Sequence, residues 1–283
     1  MKKRVVPKRI GLAFTILTLA VGIIGCGSKA DSNSSNSNND KSKIVVATGG
    51  SPKPFTYVND KNELVGYDIE VVNAVFNKLP QYEVSFEKTE FTSILTGLDS
   101  DRYQVGANNF AMNKERKEKY SYTDPIFKNQ YVIAVAKNNN SIKSFKDLLG
   151  KTSEVSAGNN YTTALENFNK DNQGNPVKLS YTEADLLPIL QHVEGGQYDF
   201  QLIDKSMLNQ YIDEYGLNLN VIDLSEEDSN KIATPFSYLL VSKGNEKLTN
   251  DINKAIAEII KDGTVSQISK KYFNNGDYAP DKK

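Results

Sequence analysis

From Ile44 onward, apolar residues recur with two alternating spacings, one near 2 and one near 3.6 residues, and the switches between them mark the elements. Ile44-Val45-Val46-Ala47 is an unbroken apolar run, as expected of a buried strand. Residues 55–58 and 64–67 flank Asn59-Asp60-Lys61-Asn62 and predict a hairpin. Asp68 is placed to cap a helix whose apolar positions Ile69, Val72, Val75, Phe76 and Leu79 keep the helical period until Pro80. Tyr82, Val84 and Phe86 then alternate with Glu83, Ser85 and Glu87, the pattern of a half-exposed strand. A short strand over 104–107 gives way at Asn108-Asn109 to a charged helical run around Lys114–Lys119. After Asp124-Pro125 the alternation resumes, with strands over 131–136, 152–155, 177–181 and 200–203 and helices over 145–149, 161–168 and 184–193. Beyond Pro235 follow a strand over 238–242, a helix with Leu248, Ile252, Ile256 and Ile259 on one stripe, and a last helix over 265–273. This succession predicts an α/β fold.

Composition narrows the function classes. With 283 residues and 39% hydrophobic content the chain can build two domains with cores. Lys+Arg 34 against Asp+Glu 35 leaves a net charge of -1, which gives no reason to expect a nucleic-acid partner and points to a small one. One cysteine rules out an internal disulfide and a cysteine metal cage, and one histidine, His192, leaves little for histidine-based catalysis. No HExxH, EF-hand, GxGxxG or Walker A pattern is present, so neither a metal nor a cofactor is expected.

The basic start MKKRVVPKR and the apolar run over 10–24, which is too short for a typical membrane span of roughly 20 residues, predict a signal peptide over 1–25. Ile23-Ile24-Gly25-Cys26-Gly27 resembles a bacterial lipobox, which makes Cys26 the expected lipidation site; a plain signal peptide followed by an incidental thiol is the alternative. The Ser/Asn-rich stretch that follows Cys26, to residue 42, reads as a tether. An acyl anchor, at about 0.8 kcal/mol per buried methylene, would hold the domain on the extracytoplasmic face of the cell membrane.

Pro54-Phe55, Gly66-Tyr67-Asp68-Ile69-Glu70, Glu115-Arg116-Lys117, Tyr122-Thr123-Asp124-Pro125, the Gly195, Asp199 and Asp204 positions, and Asp262-Gly263-Thr264 with Tyr272-Phe273 occur in that order. Together they resemble the polar amino-acid-binding proteins of ABC importers, extracellular solute-binding family 3, over nearly all of 44–273. The resemblance implies a two-lobed, periplasmic-binding-protein-like (Venus flytrap) fold of type II with two crossover hinge strands. Carried onto this chain, lobe 1 comprises 43–125 and 238–283, lobe 2 comprises 131–233, and the hinges are 126–130 and 234–237. It further implies a monomer that carries a small-molecule amino acid to an ABC permease.

A free amino acid carries a carboxylate and an ammonium, and burying either without a partner costs several kcal/mol. Arg116 stands at the family's carboxylate-binding arginine, where a planar fork donates two parallel bonds. Composition alone favours a surface residue of the charged run over 114–119, and the family resemblance reverses that reading. Backbone N–H groups over 109–111, at the junction of strand and helix, would add donors near a positive helix end. Asp204 stands at the family's ammonium-binding aspartate; a helix N-cap is its other reading. Phe91 occupies a position where the family places an aromatic over the ligand, and core packing is the alternative. Asn108, Asn109, Ala111, Asn159 and Asn160 complete the candidate site, and their amide-rich edge suggests a polar ligand. Asn113, Ala111, Gln104 and Pro52 depart from the usual family residues and leave side-chain specificity open. The run from Asn108 to Arg116 also resembles the cystine-binding branch, so cystine is the favoured ligand and another amino acid such as glutamine the alternative. An enzyme of the cyclohexadienyl-dehydratase kind and a surface adhesin are the remaining readings.

Overall fold

The computed structural model describes residues 41–281. The expected signal peptide, Cys26 and the tether as far as residue 40 lie outside the described residues. Along the chain run β1 (Ser42–Thr48), β2 (Tyr57–Val58), β3 (Leu64–Val65), α1 (Tyr67–Asn77), β4 (Tyr82–Lys88), α2 (Phe91–Asp99), β5 (Val105–Ala111), α3 (Lys114–Lys119), β6 (Ser121–Tyr122) and β7 (Phe127–Lys128). Then come β8 (Tyr131–Ala136), a 3-10 turn (Phe145–Leu148), β9 (Thr152–Val155), α4 (Asn160–Asp171), β10 (Lys178–Tyr181), α5 (Leu186–Glu194), β11 (Gln201–Asp204), α6 (Lys205–Tyr215), β12 (Leu219–Asp223) and α7 (Glu226–Ile232). The chain finishes with β13 (Phe236–Val241), α8 (Glu246–Lys261) and α9 (Thr264–Tyr272).

Two groups of sheets result. A six-stranded sheet has the order β4-β1-β5-β13-β6, with β7 also paired to β13. Strands β1, β4 and β5 are parallel, and β13 returns antiparallel beside β5. The second group holds the antiparallel sheet β11-β8-β12 and the parallel pair β9-β10. Alternation along β8 explains why it is apolar throughout: Tyr131, Ile133 and Val135 join one core cluster, while Val132 and Ala134 face another. The stripe on α8 packs as its spacing predicts, with Leu248, Ile252, Ile256 and Ile259 all buried against the α1 residues Val71, Val72 and Val75.

Two local expectations change. The hairpin strands are only Tyr57–Val58 and Leu64–Val65. Asp68 does not cap α1: Gly66 is the N-cap residue and Asp68 lies in the first turn, with its side chain turned inward and 1% exposed. Gly66 has φ 135, and a Cβ there would lie 2.3 Å from the Phe55 carbonyl oxygen. The close approach lets Tyr67 and Asp68 donate their N–H groups to Pro54 and Phe55 at 2.9 Å. Gly66→Ala is therefore expected to cost about 2 kcal/mol or more of stability, read from urea unfolding; a loss below 0.5 kcal/mol would show that the turn tolerates a side chain.

The chain passes between the sheet groups twice, and the two crossovers lie side by side. Ile126 donates to Ser237 O and Asn129 to Pro235 O, both at 2.9 Å. Phe55, Tyr67, Phe127 and Phe273 pack edge-on or tilted with ring centroids 4.9 to 6.0 Å apart. The Tyr67 hydroxyl donates to Ile126 O at 2.5 Å. The start of the first crossover is thus fastened to the core of the six-stranded sheet.

Candidate functional site

The site is built around an irregularity in β5. Against β13, Ser237 pairs with Ala111 and Tyr238 with Phe110, yet the next pairs are Leu240 with Gly106 and Val241 with Val105. The surplus length in β5 bulges out at 107–109, where Asn109 adopts φ 49. Asparagine is among the few side chains that enter this left-handed region readily. The bulge takes the Asn109 N–H out of the ladder, and Asp68 Oδ2 accepts it at 2.6 Å.

These facts correct the expected junction. The strand continues to Ala111 rather than ending at 107, Phe110 is 1% exposed, and α3 begins only at Lys114. The Asn109 N–H is therefore held by a carboxylate and is not a free donor at a helix end. Asn113 caps the short α3 by accepting from Arg116 N at 2.8 Å.

Arg116 is not a surface residue; it is 6% exposed. Its guanidinium donates to Gly158 O at 2.5 Å and Ala111 O at 3.4 Å. It lies 5.4 and 5.8 Å from the ring centroids of Phe110 and Phe91, which stack on each other. No carboxylate among the described residues forms an ion pair with it, and burial lowers its pKa. The guanidinium is thus a buried cation whose hydrogen bonds go to neutral carbonyl acceptors.

Asp204 ends β11 and is 1% exposed. It occupies the N-cap position of α6 but makes no capping bond. Its Oδ2 instead accepts from Asn109 Nδ2 at 2.6 Å and Tyr161 OH at 2.9 Å, while Oδ1 is buried without a partner. Burial pushes its carboxyl up to about 6, against the lowering effect of the Tyr161 and Asn109 bonds. Asp68 is pushed up to about 7, again by burial first, with the charge on Asp204 adding to it.

All the candidate residues line one cleft of about 680 Å³: Arg116, Asp204, Asn109, Ala111, Phe91, Asn108, Asn159 and Asn160. Several of the amides are already engaged. Asn108 Oδ1 accepts from Gly49 N at 2.7 Å, and Asn159 Oδ1 caps α4 through Thr162 N at 2.7 Å. Asn160 accepts from Asn113 at 2.7 Å and donates to Ala111 O at 3.4 Å, which ties α4 to the end of β5. With Arg116 to Gly158 and Asn109 to Asp204, the two Asn160 bonds join the two sheet groups across the cleft. Sequence reasoning missed Tyr161, Tyr131 and Asn129 as lining residues. The two tyrosines fall at positions that read as helix and strand core, and Asn129 carries no periodic signal. Asp199, the neighbouring aspartate of the same motif, accepts from Thr152 N and Oγ1 at 2.8 Å.

The family model described as bacterial extracellular solute-binding proteins, family 3, matches residues 44–275. The L-cystine-binding protein TcyA of Bacillus subtilis is 32% identical over 276 residues, covering 94% of this chain and 97% of that protein. A structure from work on glutathione import in Gram-positive bacteria via GshT and the cystine ABC importer TcyBC of Streptococcus mutans is 40% identical. It covers 86% of this chain and 98% of that one, with a TM-score of 0.79. An ancestral arginine-binding protein bound to arginine is 28% identical, covers 82% and 99% of the two chains, and has a TM-score of 0.72. No described helix is long and apolar enough to cross a membrane. The two-lobed α/β architecture, the cleft between its halves and a match that spans almost the whole described chain agree: this protein belongs to the bacterial extracellular solute-binding proteins of family 3.

Proposed function

We propose that the cleft binds a zwitterionic amino acid, with L-cystine the favoured ligand, for delivery to an ABC permease. One observation carries this reading: a buried guanidinium without a counter-ion among the described residues and a buried carboxylate with an unpartnered oxygen line the same cavity. The ligand carboxylate takes the Arg116 fork, and its ammonium takes Asp204 Oδ1. Phe91 packs beside the carboxylate end, and the Ala111, Asn108, Asn159 and Asn160 region shapes the walls. The cystine-binding relatives support the choice of ligand.

In this reading the lobes are 43–125 with 238–283, and 131–233, with hinges at 126–130 and 234–237. The protein works as a monomer, tethered through a lipid on Cys26 after removal of 1–25. A micromolar Kd is worth about 8 kcal/mol, and shifting the lobes from mostly open to mostly closed needs about 5.5, so one ligand can drive closure. Binding occurs without turnover. His192 pairs with Glu154 at 2.6 Å and is not among the residues lining the cleft.

Glutathione is a second reading, favoured by the 40% identity to the Streptococcus mutans structure. Isothermal titration with L-cystine, glutathione, L-glutamine and L-arginine decides between them, with recovered ligand checked by mass spectrometry. L-Cystine is expected to bind tightest and to be recovered intact. Tighter glutathione binding would transfer the site to the tripeptide, and no heat with any of the four would end the zwitterion reading.

A further inference from the structure

Asp68 is a buried acid outside the cleft, and neither helix capping nor an ion pair accounts for it. Among the described residues its side chain accepts one hydrogen bond, from Asn109 N to Oδ2 at 2.6 Å, and Oδ1 is buried without a partner. The bulge in β5 strips that N–H of its ladder partner, and a buried N–H without an acceptor is strongly disfavoured. Asp68 is thus the group that makes the left-handed conformation of Asn109 tenable inside the protein.

That conformation has an effect across the cleft. A carboxylate can only accept, so Asn109 must present Nδ2 to Asp204 Oδ2. Its Oδ1 then faces Ser237 Oγ, which donates to it and in turn accepts from Asn129 Nδ2 at 2.8 Å. The polarity of the whole chain of bonds follows from one acceptor. Asp204 Oδ2 is held twice, by Asn109 and Tyr161, and Oδ1 alone is left for an incoming donor.

Resting on the reading of Asp204 as the ammonium site, we propose that Asp68 is a positioning residue. It holds the bulged backbone of Asn109, and Asn109 in turn fixes the Asp204 carboxylate with Oδ1 toward the ligand ammonium. The action is indirect, so it must run through the Asn109 side chain.

The test is a double-mutant cycle on the full chain, with L-cystine as probe in titration calorimetry. Asp68→Ala is expected to weaken binding about 10- to 100-fold. Asp68→Asn keeps an acceptor oxygen and is expected to stay within about threefold of the parent. In an Asn109→Gly background, which keeps the left-handed backbone but has no amide to aim, Asp68→Ala is expected to change affinity by less than about threefold. Equal losses in both backgrounds, or no rescue by Asn, would overturn the proposal and leave Asp68 a purely structural acid. A ligand-free readout covers the case in which Asp68→Ala does not fold. The Asn109 amide proton should be shifted downfield in NMR and should follow the titration of Asp68 in the parent; an amide proton indifferent to that titration would also overturn the proposal. If the parent chain gives no heat with L-cystine, glutathione, L-glutamine or L-arginine, the ammonium-site reading fails on its own, and the NMR result still decides whether Asp68 holds Asn109.

Discussion

Arg116→Met is expected to lower affinity for L-cystine by about 100-fold or more while leaving the melting temperature of the ligand-free protein unchanged or raised. The two halves of this result have one cause. In the ligand-free protein the guanidinium is buried among Phe91, Phe110 and two carbonyl oxygens, with no anion to offset its lost hydration. Methionine fills similar volume without a charge, and replacing an uncompensated buried ion by an apolar side chain is neutral or favourable to folding. In the complex, the same substitution strands the ligand carboxylate in a dry site. Breaking such a pair costs about 3–5 kcal/mol, and each 1.4 kcal/mol is tenfold. Calorimetry and a thermal melt on the same preparation check both halves. Near-parental affinity would remove Arg116 from the site, and a large drop in melting temperature would mean that the arginine is structural.

Asp204→Asn is expected to weaken L-cystine binding about 100-fold and to flatten its pH dependence. In the parent, proton and ammonium compete for one carboxylate whose pKa is about 6 in the ligand-free fold. Affinity should therefore hold near pH 7.5 and fall, approaching tenfold per unit, as pH drops through about 6. Stability of the ligand-free fold runs the other way. Asp204 and Asp68 are both raised above the ordinary carboxylate value, to about 6 and about 7, so between about pH 4 and 7 the folded chain holds more protons than the unfolded one. Their contribution to stability is then greatest on the acid side and is lost as pH rises through those values. Calorimetry and melts from pH 5 to 8 separate the trends. Affinity that is flat over this range in the parent would show that Asp204 does not meet the ammonium.

What the sequence disclosed depends on how local the cause was. The α8 stripe and the apolar run of β8 are set by periodicity within a few turns or residues, and both emerge as expected. The return of β13 beside β5 has no local cause; it came from the ordered motifs of the family rather than from spacing. Arg116 and Asp204 likewise stand out only through the family's ordered motifs, since their local settings, a charged run and a helix N-cap position, point elsewhere. The bulge at Asn109 was hidden because two consecutive asparagines look like the end of a strand. Whether they end it or kink it depends on Asp68, 41 residues away. Leu219–Asp223 escaped notice because an edge strand with mixed burial lacks a strong apolar signature.

The side-by-side crossovers bear on how the cleft can open. Ile126 and Asn129 are bonded to Ser237 and Pro235, and Phe127 is wedged among rings of the six-stranded half. Two strips laced together form a ribbon, and a ribbon resists sliding along its length far better than it resists folding about a line across it. The halves should therefore part by swinging about a single axis, so that the far lip of the cavity travels furthest and the edge beside Asn129 scarcely widens. A solute would then enter from the lip, and the last water expelled would be the layer against the ribbon.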